Sequence, residues 1–101
     1  MRILVMFDLP VGTESERKNY RLFRKYLIKS GFLMLQESVY CKMMTSPSME
    51  KSMKNMVHNN KPPKGLIQTI TITEKQFVKM DYIVGEYTSD IIDSEERLII
   101  L

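Results

Sequence analysis

Apolar residues recur along this chain with two different periods, and each period predicts a kind of element. Ile3 to Phe7 is a continuous apolar run that stops at Asp8-Leu9-Pro10-Val11-Gly12, which predicts a buried strand closed by a turn. Thr13-Glu14-Ser15-Glu16 has the form of a capping box, with a threonine oxygen for orphan amides and a glutamate reaching back. A helix is predicted from there to Ser30, with Gly31 as its stop signal. At about 100° per residue, Tyr20, Phe23, Tyr26 and Leu27 fall on one arc, which should face a core. Arg17, Lys18, Arg21, Arg24, Lys25 and Lys29 fall on the opposite side, interrupted by Leu22 and Ile28.

Phe32 to Met44 is apolar-rich, with Val39 and Tyr40 favouring strand. Its length suits one bent strand or two short ones, with Glu37-Ser38 as the break. Ser46-Pro47 reads as an N-cap followed by proline at the first helical position. Met49, Met53, Met56 and Val57 then carry a second helix to about His58, and Asn59 to Gly65 breaks it. Gln68 to Thr73 alternates, with Ile70 and Ile72 on one face and Thr69, Thr71 and Thr73 on the other, as in a half-exposed strand. Thr73-Glu74-Lys75-Gln76 is a second capping box, for a short helix near Phe77 to Met80. Tyr82-Ile83-Val84 and Arg97-Leu98-Ile99-Ile100-Leu101 are further strand candidates.

The order β-α-β-β-α-β predicts an α+β, ferredoxin-like sheet with both helices on one face, residues 1–80. Residues 81–101 form a separate acidic segment and closing strand. Leu98, Ile99 and Ile100 are almost all that strand contains, and adding it to a second copy's edge would bury it and close a homodimer. The chain has 101 residues, enough for one core with little room for a deep private pocket.

Charge is unevenly spread. The formal net charge is +3, yet residues 1–80 carry 14 basic and 6 acidic side chains, against 1 and 6 in residues 81–101. A basic body points to a polyanion surface, and an acidic tail to a separate role or simply a solvated loop. One cysteine, Cys41, excludes an intrachain disulfide and a multi-cysteine zinc ribbon, and one histidine, His58, excludes a His-rich zinc site. No uncharged apolar run approaches the roughly 18 residues of a membrane span. Asp8 arrives too early for a signal peptide's apolar core, so a reduced, cytoplasmic compartment is expected.

Asp8 is the sharpest candidate for chemistry. It ends the first strand, where turn formation alone would also account for a carboxylate. A lone carboxylate is a poor magnesium site, but a two-fold dimer brings two copies together, and Mg²⁺ is commonly held by one or two carboxylates with waters and phosphate oxygens. The basic arc Arg17, Lys18, Arg21, Arg24 and Lys25 suits phosphate neutralisation, with a solvated helix face as the plainer reading. Cys41 reads as a buried structural thiol, and His58 as a helix C-terminal cap. The RNA-recognition motif shares this element order. Its third strand carries aromatic rings, whereas Lys64-Gly65-Leu66-Ile67-Gln68-Thr69-Ile70 carries none, so base stacking on the sheet is not expected. Nine methionines, five of them between Met43 and Met56, suit an adaptable core or a surface that repacks on assembly.

Ile3-Leu4-Val5-Met6-Phe7-Asp8-Leu9-Pro10, the basic first helix, Gly31-Phe32, Gln36-Glu37-Ser38-Val39-Tyr40 and the terminal Arg97 to Leu101 together resemble the small CRISPR-associated adaptation proteins, the partners of the integrase in spacer acquisition. The resemblance implies a ferredoxin-like homodimer with each C-terminal strand added to the other protomer. It implies Asp8 as the metal-liganding, catalytic aspartate, paired across the dimer axis around Mg²⁺. It also implies either a Mg²⁺-dependent endonuclease acting on RNA or double-stranded DNA, or a scaffold clamped between two integrase dimers with duplex DNA on its basic surface. Many members carry Tyr before the aspartate, where this chain has Phe7. Two functions follow: a DNA-binding scaffold, favoured as the physiological role, and a metal-dependent phosphodiesterase at paired Asp8. A toxin-type endoribonuclease on the same fold is the remaining alternative, which an adjacent integrase gene and repeat array would exclude.

Overall fold

The computed structural model describes residues 1–86. Its elements are β1 (Arg2–Asp8), α1 (Glu14–Lys29), β2 (Leu33–Gln36), β3 (Val39–Met43), α2 (Pro47–Asn59), β4 (Leu66–Ile72) and α3 (Glu74–Val78). The four strands form one antiparallel sheet in the order β2-β3-β1-β4, which is the ferredoxin-like arrangement predicted from the element order. The closing strand at Leu98, Ile99 and Ile100 lies outside the described residues.

Strand β1 is paired on both sides, so its pleat divides the molecule. Ile3, Val5 and Phe7 join Leu9 in a core with Phe23 and Leu27 of α1 and Met53 and Val57 of α2. Arg2, Leu4, Met6 and Asp8 alternate onto the other face of the sheet. Phe7 anchors the core through edge contacts with Phe23 (5.2 Å) and Tyr20 (6.0 Å) and a stacked contact with Tyr40 (5.8 Å). Truncating such a ring to alanine costs about 3–5 kcal/mol.

Local signals act as the sequence predicts at both ends of α1. The Thr13 hydroxyl accepts from the Glu16 amide, and the Glu16 carboxylate accepts from the Thr13 and Gly12 amides. At the far end Gly31 takes φ +93°, and the amides of Gly31 and Phe32 donate to the carbonyls of Ile28 and Leu27, a Schellman closure. Lys42 Nζ covers the remaining Ser30 carbonyl at 2.6 Å. The Phe32–Met44 segment forms two strands, broken at Glu37-Ser38 with a register irregularity between Met34 and Gln36.

The sequence leaves open which side of β4 is covered, and three local expectations differ. β4 exposes its isoleucine side: Ile70 is 48% exposed. Thr69 and Thr71 lie opposite the core residues Val5 and Ile3, and the Thr71 hydroxyl donates to Glu50 of α2 at 2.8 Å. The Thr73–Gln76 capping box is present, but its helix ends at Val78 rather than reaching Met80. Tyr82-Ile83-Val84 forms no strand and bends into Gly85 at φ +86°. The C-terminus of α2 is capped by Asn60, whose amide donates to the Met56 and Val57 carbonyls, rather than by His58. No described helix is long and apolar enough to cross a membrane.

Helix α3 docks on the open face through Arg2. The Arg2 Nε donates to Glu74 Oε2 at 2.8 Å, and its guanidinium carbon lies 3.9 Å from the Phe77 ring centroid. The bond from Arg2 holds the Glu74 carboxyl below its ordinary range. A depressed carboxylate stabilises the docked form above the unfolded value and loses that contribution as pH falls through the folded one. Protection of the Gln76 to Val78 amides, taken relative to the intrinsic exchange rate at the same pH, should therefore hold near neutrality and fall below about pH 4, with little change for the amides of β1.

Candidate functional site

Asp8 is the last residue of β1, exposed, and on the open face opposite Leu66. Gly65 holds it there. At φ +110°, a Cβ on Gly65 would stand 2.6 Å from Leu9 Cδ2 and 2.9 Å from the Asp8 carbonyl oxygen. Only glycine lets β4 begin this close to the end of β1. The Gln36–Tyr40 motif meets the same strand from the other side. Glu37 and Ser38 make the β2–β3 turn, and the Ser38 carbonyl accepts from the Phe7 amide at 3.0 Å.

Phe7 is 5% exposed and belongs to the helix-side core, whereas Asp8 belongs to the opposite face. A hydroxyl at position 7 would therefore sit on the helix side of the pleat, away from the face Asp8 shares with Met6 and Leu66. Among the described residues no three His, Cys, Asp or Glu side chains converge as a metal cluster. The described residues of one protomer place the Asp8 carboxylate at the end of β1. Beside it, Leu9, Pro10, Tyr20, Pro63 and Lys64 line a groove of about 240 Å³.

The five predicted phosphate contacts, Arg17, Lys18, Arg21, Arg24 and Lys25, are all exposed on α1. Acidic residues of the helix, Glu14 and Glu16, stay in its first turn. From Arg17 to Lys29 no acid interrupts the cations, over about 18 Å of helix. Two of the five are engaged. Arg17 Nη1 donates to the Val11 carbonyl at 3.1 Å, and Arg24 Nε donates to the Tyr40 hydroxyl at 2.7 Å. Tyr20, Arg21, Arg24, Lys25 and Ile28 line a second groove of about 290 Å³, so Tyr20 borders both grooves.

The family model described as CRISPR-associated protein Cas2 matches residues 1–80. The chain belongs to the CRISPR-associated Cas2 family. It is similar to the CRISPR-associated endoribonuclease Cas2 of Treponema denticola, at 48% identity over 100% of both chains. The protein of the same description from Streptococcus mutans serotype c is 46% identical, over 100% of this chain and 93% of that one. The crystal structure of Streptococcus pyogenes Cas2 at pH 6.5 aligns with a TM-score of 0.63 at 19% identity, covering 83% of this chain and 100% of that one, a likeness of fold. In this Cas2 chain, Asp8 and the Gln36–Tyr40 motif meet at one end of β1. The Ser38 carbonyl accepts from the amide of Phe7, the residue before Asp8.

Three contributors were missed in the sequence. Gly65 reads there as one more loop residue, and its Lys-Gly pair counts only toward a failed RNA-recognition signature. The Arg2–Glu74 and Arg24–Tyr40 bonds join residues 72 and 16 apart and leave no local pattern. Cys41 is buried as predicted, and burial raises its thiol above the ordinary value.

Gly65→Ala tests how Asp8 is placed. Positive-φ strain of about 1–3 kcal/mol, with the clash added, should lower Tm by more than about 5 °C in thermal unfolding. Gly12→Ala, which meets only Glu16 Oε1 at 3.4 Å, should leave Tm nearly unchanged.

Proposed function

We propose that this Cas2 protein is a homodimeric scaffold of CRISPR spacer acquisition that binds duplex DNA on α1 and presents it between integrase dimers. One observation carries the reading: a row of exposed cations along one helix with no acid among them, long enough to meet several consecutive phosphates of a strand. Contacts of this kind bind without sequence preference and weaken with salt, as a protein that accepts any new spacer requires.

A dimer is supported by the open face of the sheet. Leu66 (55% exposed), Ile70 (48%) and Met43 (53%) leave apolar surface there, on the side that also carries Asp8. A second copy packed on this face would bury that surface and set two Asp8 carboxylates in one interface. Each Leu98-Ile99-Ile100 strand would then extend a free edge of the partner's sheet, where β2 and β4 are the outer strands.

Asp8 favours a second activity, a Mg²⁺-dependent endonuclease, and the relatives described as endoribonucleases support it. An exposed hard-oxygen donor fits Mg²⁺, which keeps several waters and takes few protein ligands. The ion, when bound, polarises a phosphodiester and acidifies an attacking water. The protein's own part is to hold one carboxylate per protomer at a strand end fixed by Gly65 and the Ser38 carbonyl. RNA and duplex DNA both present the phosphates that α1 and Asp8 would meet.

Two variants separate these activities. Lys18→Glu/Arg21→Glu/Lys25→Glu should weaken duplex binding at least tenfold at about 100 mM salt without lowering Tm, measured by fluorescence anisotropy. Binding at parental strength would defeat the scaffold reading. Asp8→Ala should abolish Mg²⁺-dependent cleavage by the purified protein while leaving duplex affinity and spacer acquisition in cells intact. Equal cleavage by parent and variant would remove Asp8 from the chemistry.

A further inference from the structure

The charged groups on this chain are held in two different ways. Among the described residues, Arg2 is paired with Glu74 and Lys54 with Glu50, each at 2.8 Å, so both cations are neutralised where they stand. Arg24 is also held, but by a phenol. Its Nε donates to the Tyr40 hydroxyl at 2.7 Å, and its Nη2 lies 4.0 Å from the Met34 sulfur. Neither partner carries a negative charge, so Arg24 is oriented with its full positive charge kept.

Tyr40 is a firm anchor for such a bond. It is fully buried, it is paired in the sheet with Val5 and Met34, and its ring stacks on Phe7 at 5.8 Å and 25°. Burial raises the phenol above its ordinary value against the opposing pull of Arg24, so the hydroxyl stays neutral throughout the physiological range. The guanidinium has five N–H donors in a planar fork, and the phenol uses one. Arg24 borders the groove of about 290 Å³ that Arg21 and Lys25 also line, and those two make no hydrogen bond or ion pair among the described residues. A held arginine beside two free cations is the arrangement of a seat for one phosphate group.

We propose that Tyr40 is a positioning residue, whose hydroxyl pre-orients Arg24 to take a backbone phosphate of the bound duplex in the groove with Arg21 and Lys25. The proposal rests on the reading of α1 as the duplex surface. It assigns a role within that surface: the free cations attract, and Arg24 sets where one phosphate comes to rest. An arginine that is already oriented loses less conformational freedom on binding than a free one. The plain alternative is that Arg24 only satisfies a buried phenol, and then the hydroxyl has no bearing on binding.

A double-mutant cycle in the full chain decides between them, with binding of a labelled duplex read by anisotropy across a salt series. Tyr40→Phe should weaken binding about three- to tenfold at about 100 mM salt, and Arg24→Ala by at least as much. In the Arg24→Ala background Tyr40→Phe should have no further effect, because the group it acts through is gone. Arg24→Lys, which keeps the charge but loses the Nε–H, should bind like Tyr40→Phe. Arg24 is exposed, so the Arg24→Lys result stands even where Tyr40→Phe compromises folding, which thermal melting will show. Parental affinity for Tyr40→Phe or Arg24→Lys, or fully multiplicative losses in the double variant, overturns the proposal. If the Lys18/Arg21/Lys25 charge reversal weakens binding while Tyr40→Phe does not, only the role of Tyr40 falls. A parent chain that binds no duplex overturns both readings.

Discussion

Strand β1 has a neighbour on each side, and its seven residues cannot change face without the whole molecule changing with them. Its odd positions, Ile3, Val5 and Phe7, supply the sheet's share of the core. Its even positions, Arg2, Leu4, Met6 and Asp8, supply the dock for α3, the apolar open face and the exposed carboxylate. A slip of one residue would bury Asp8 under α1 and expose the Phe7 ring, so the packing of Phe7 against Tyr20, Phe23 and Tyr40 also fixes where Asp8 stands. Position and chemistry are therefore not separate choices here. The aromatic cluster that stabilises the fold is what keeps the carboxylate on the open side.

The same cluster reaches the basic helix. Phe7 stacks on Tyr40, and Tyr40 holds Arg24, so a continuous set of contacts runs from the strand that ends in Asp8 to the outer face of α1. Elsewhere the chain spends its carboxylates on fastening elements together. Glu50 ties α2 to β4 through Thr71 and pairs with Lys54, and Glu74 ties α3 to β1 through Arg2. Along α1 beyond its first turn there is no carboxylate to spend, and the helix is fastened instead by its apolar face, its capping box and a Schellman closure. Holding a helix without acids is what leaves its cations available, and it is the structural counterpart of the charge asymmetry between residues 1–80 and 81–101.

Most of the fold was legible because its signals are local. Capping boxes at Thr13 and Thr73, the glycine stop at Gly31 and the break at Glu37-Ser38 each depend on residues within a few positions of one another. The orientation of β4 was not legible: alternation separates isoleucine from threonine but does not say which side a helix covers. Contacts distant in sequence accompany it: Ile67 packs against the core, and Thr71 donates to Glu50 of a helix 21 residues away. The Tyr82–Val84 triplet shows the limit of composition, since β-rich residues pair with neither outer strand there and bend into Gly85 instead. At the site, the residue types were legible and their couplings were not. Asp8 and the five cations could be named from position and periodicity, while Gly65, Arg2 and Tyr40 act through contacts that close only after the sheet has formed.

The two activities proposed for this chain make different demands on assembly. The cation row on α1 is complete within one protomer, since every residue of it lies on a single helix whose caps are local. The carboxylate site is not, because no group of three acidic, histidine or cysteine side chains forms among the described residues. On the proposed reading, duplex binding would belong to the single fold and metal chemistry to the pair. A chain selected chiefly for hydrolysis would gain from gathering its ligands in one protomer, where they are independent of concentration. This one places Asp8 on an apolar face suited to a second copy and its cations on a face that needs none. That division favours the scaffold as the primary role, with any cleavage following from the dimer that the scaffold already requires.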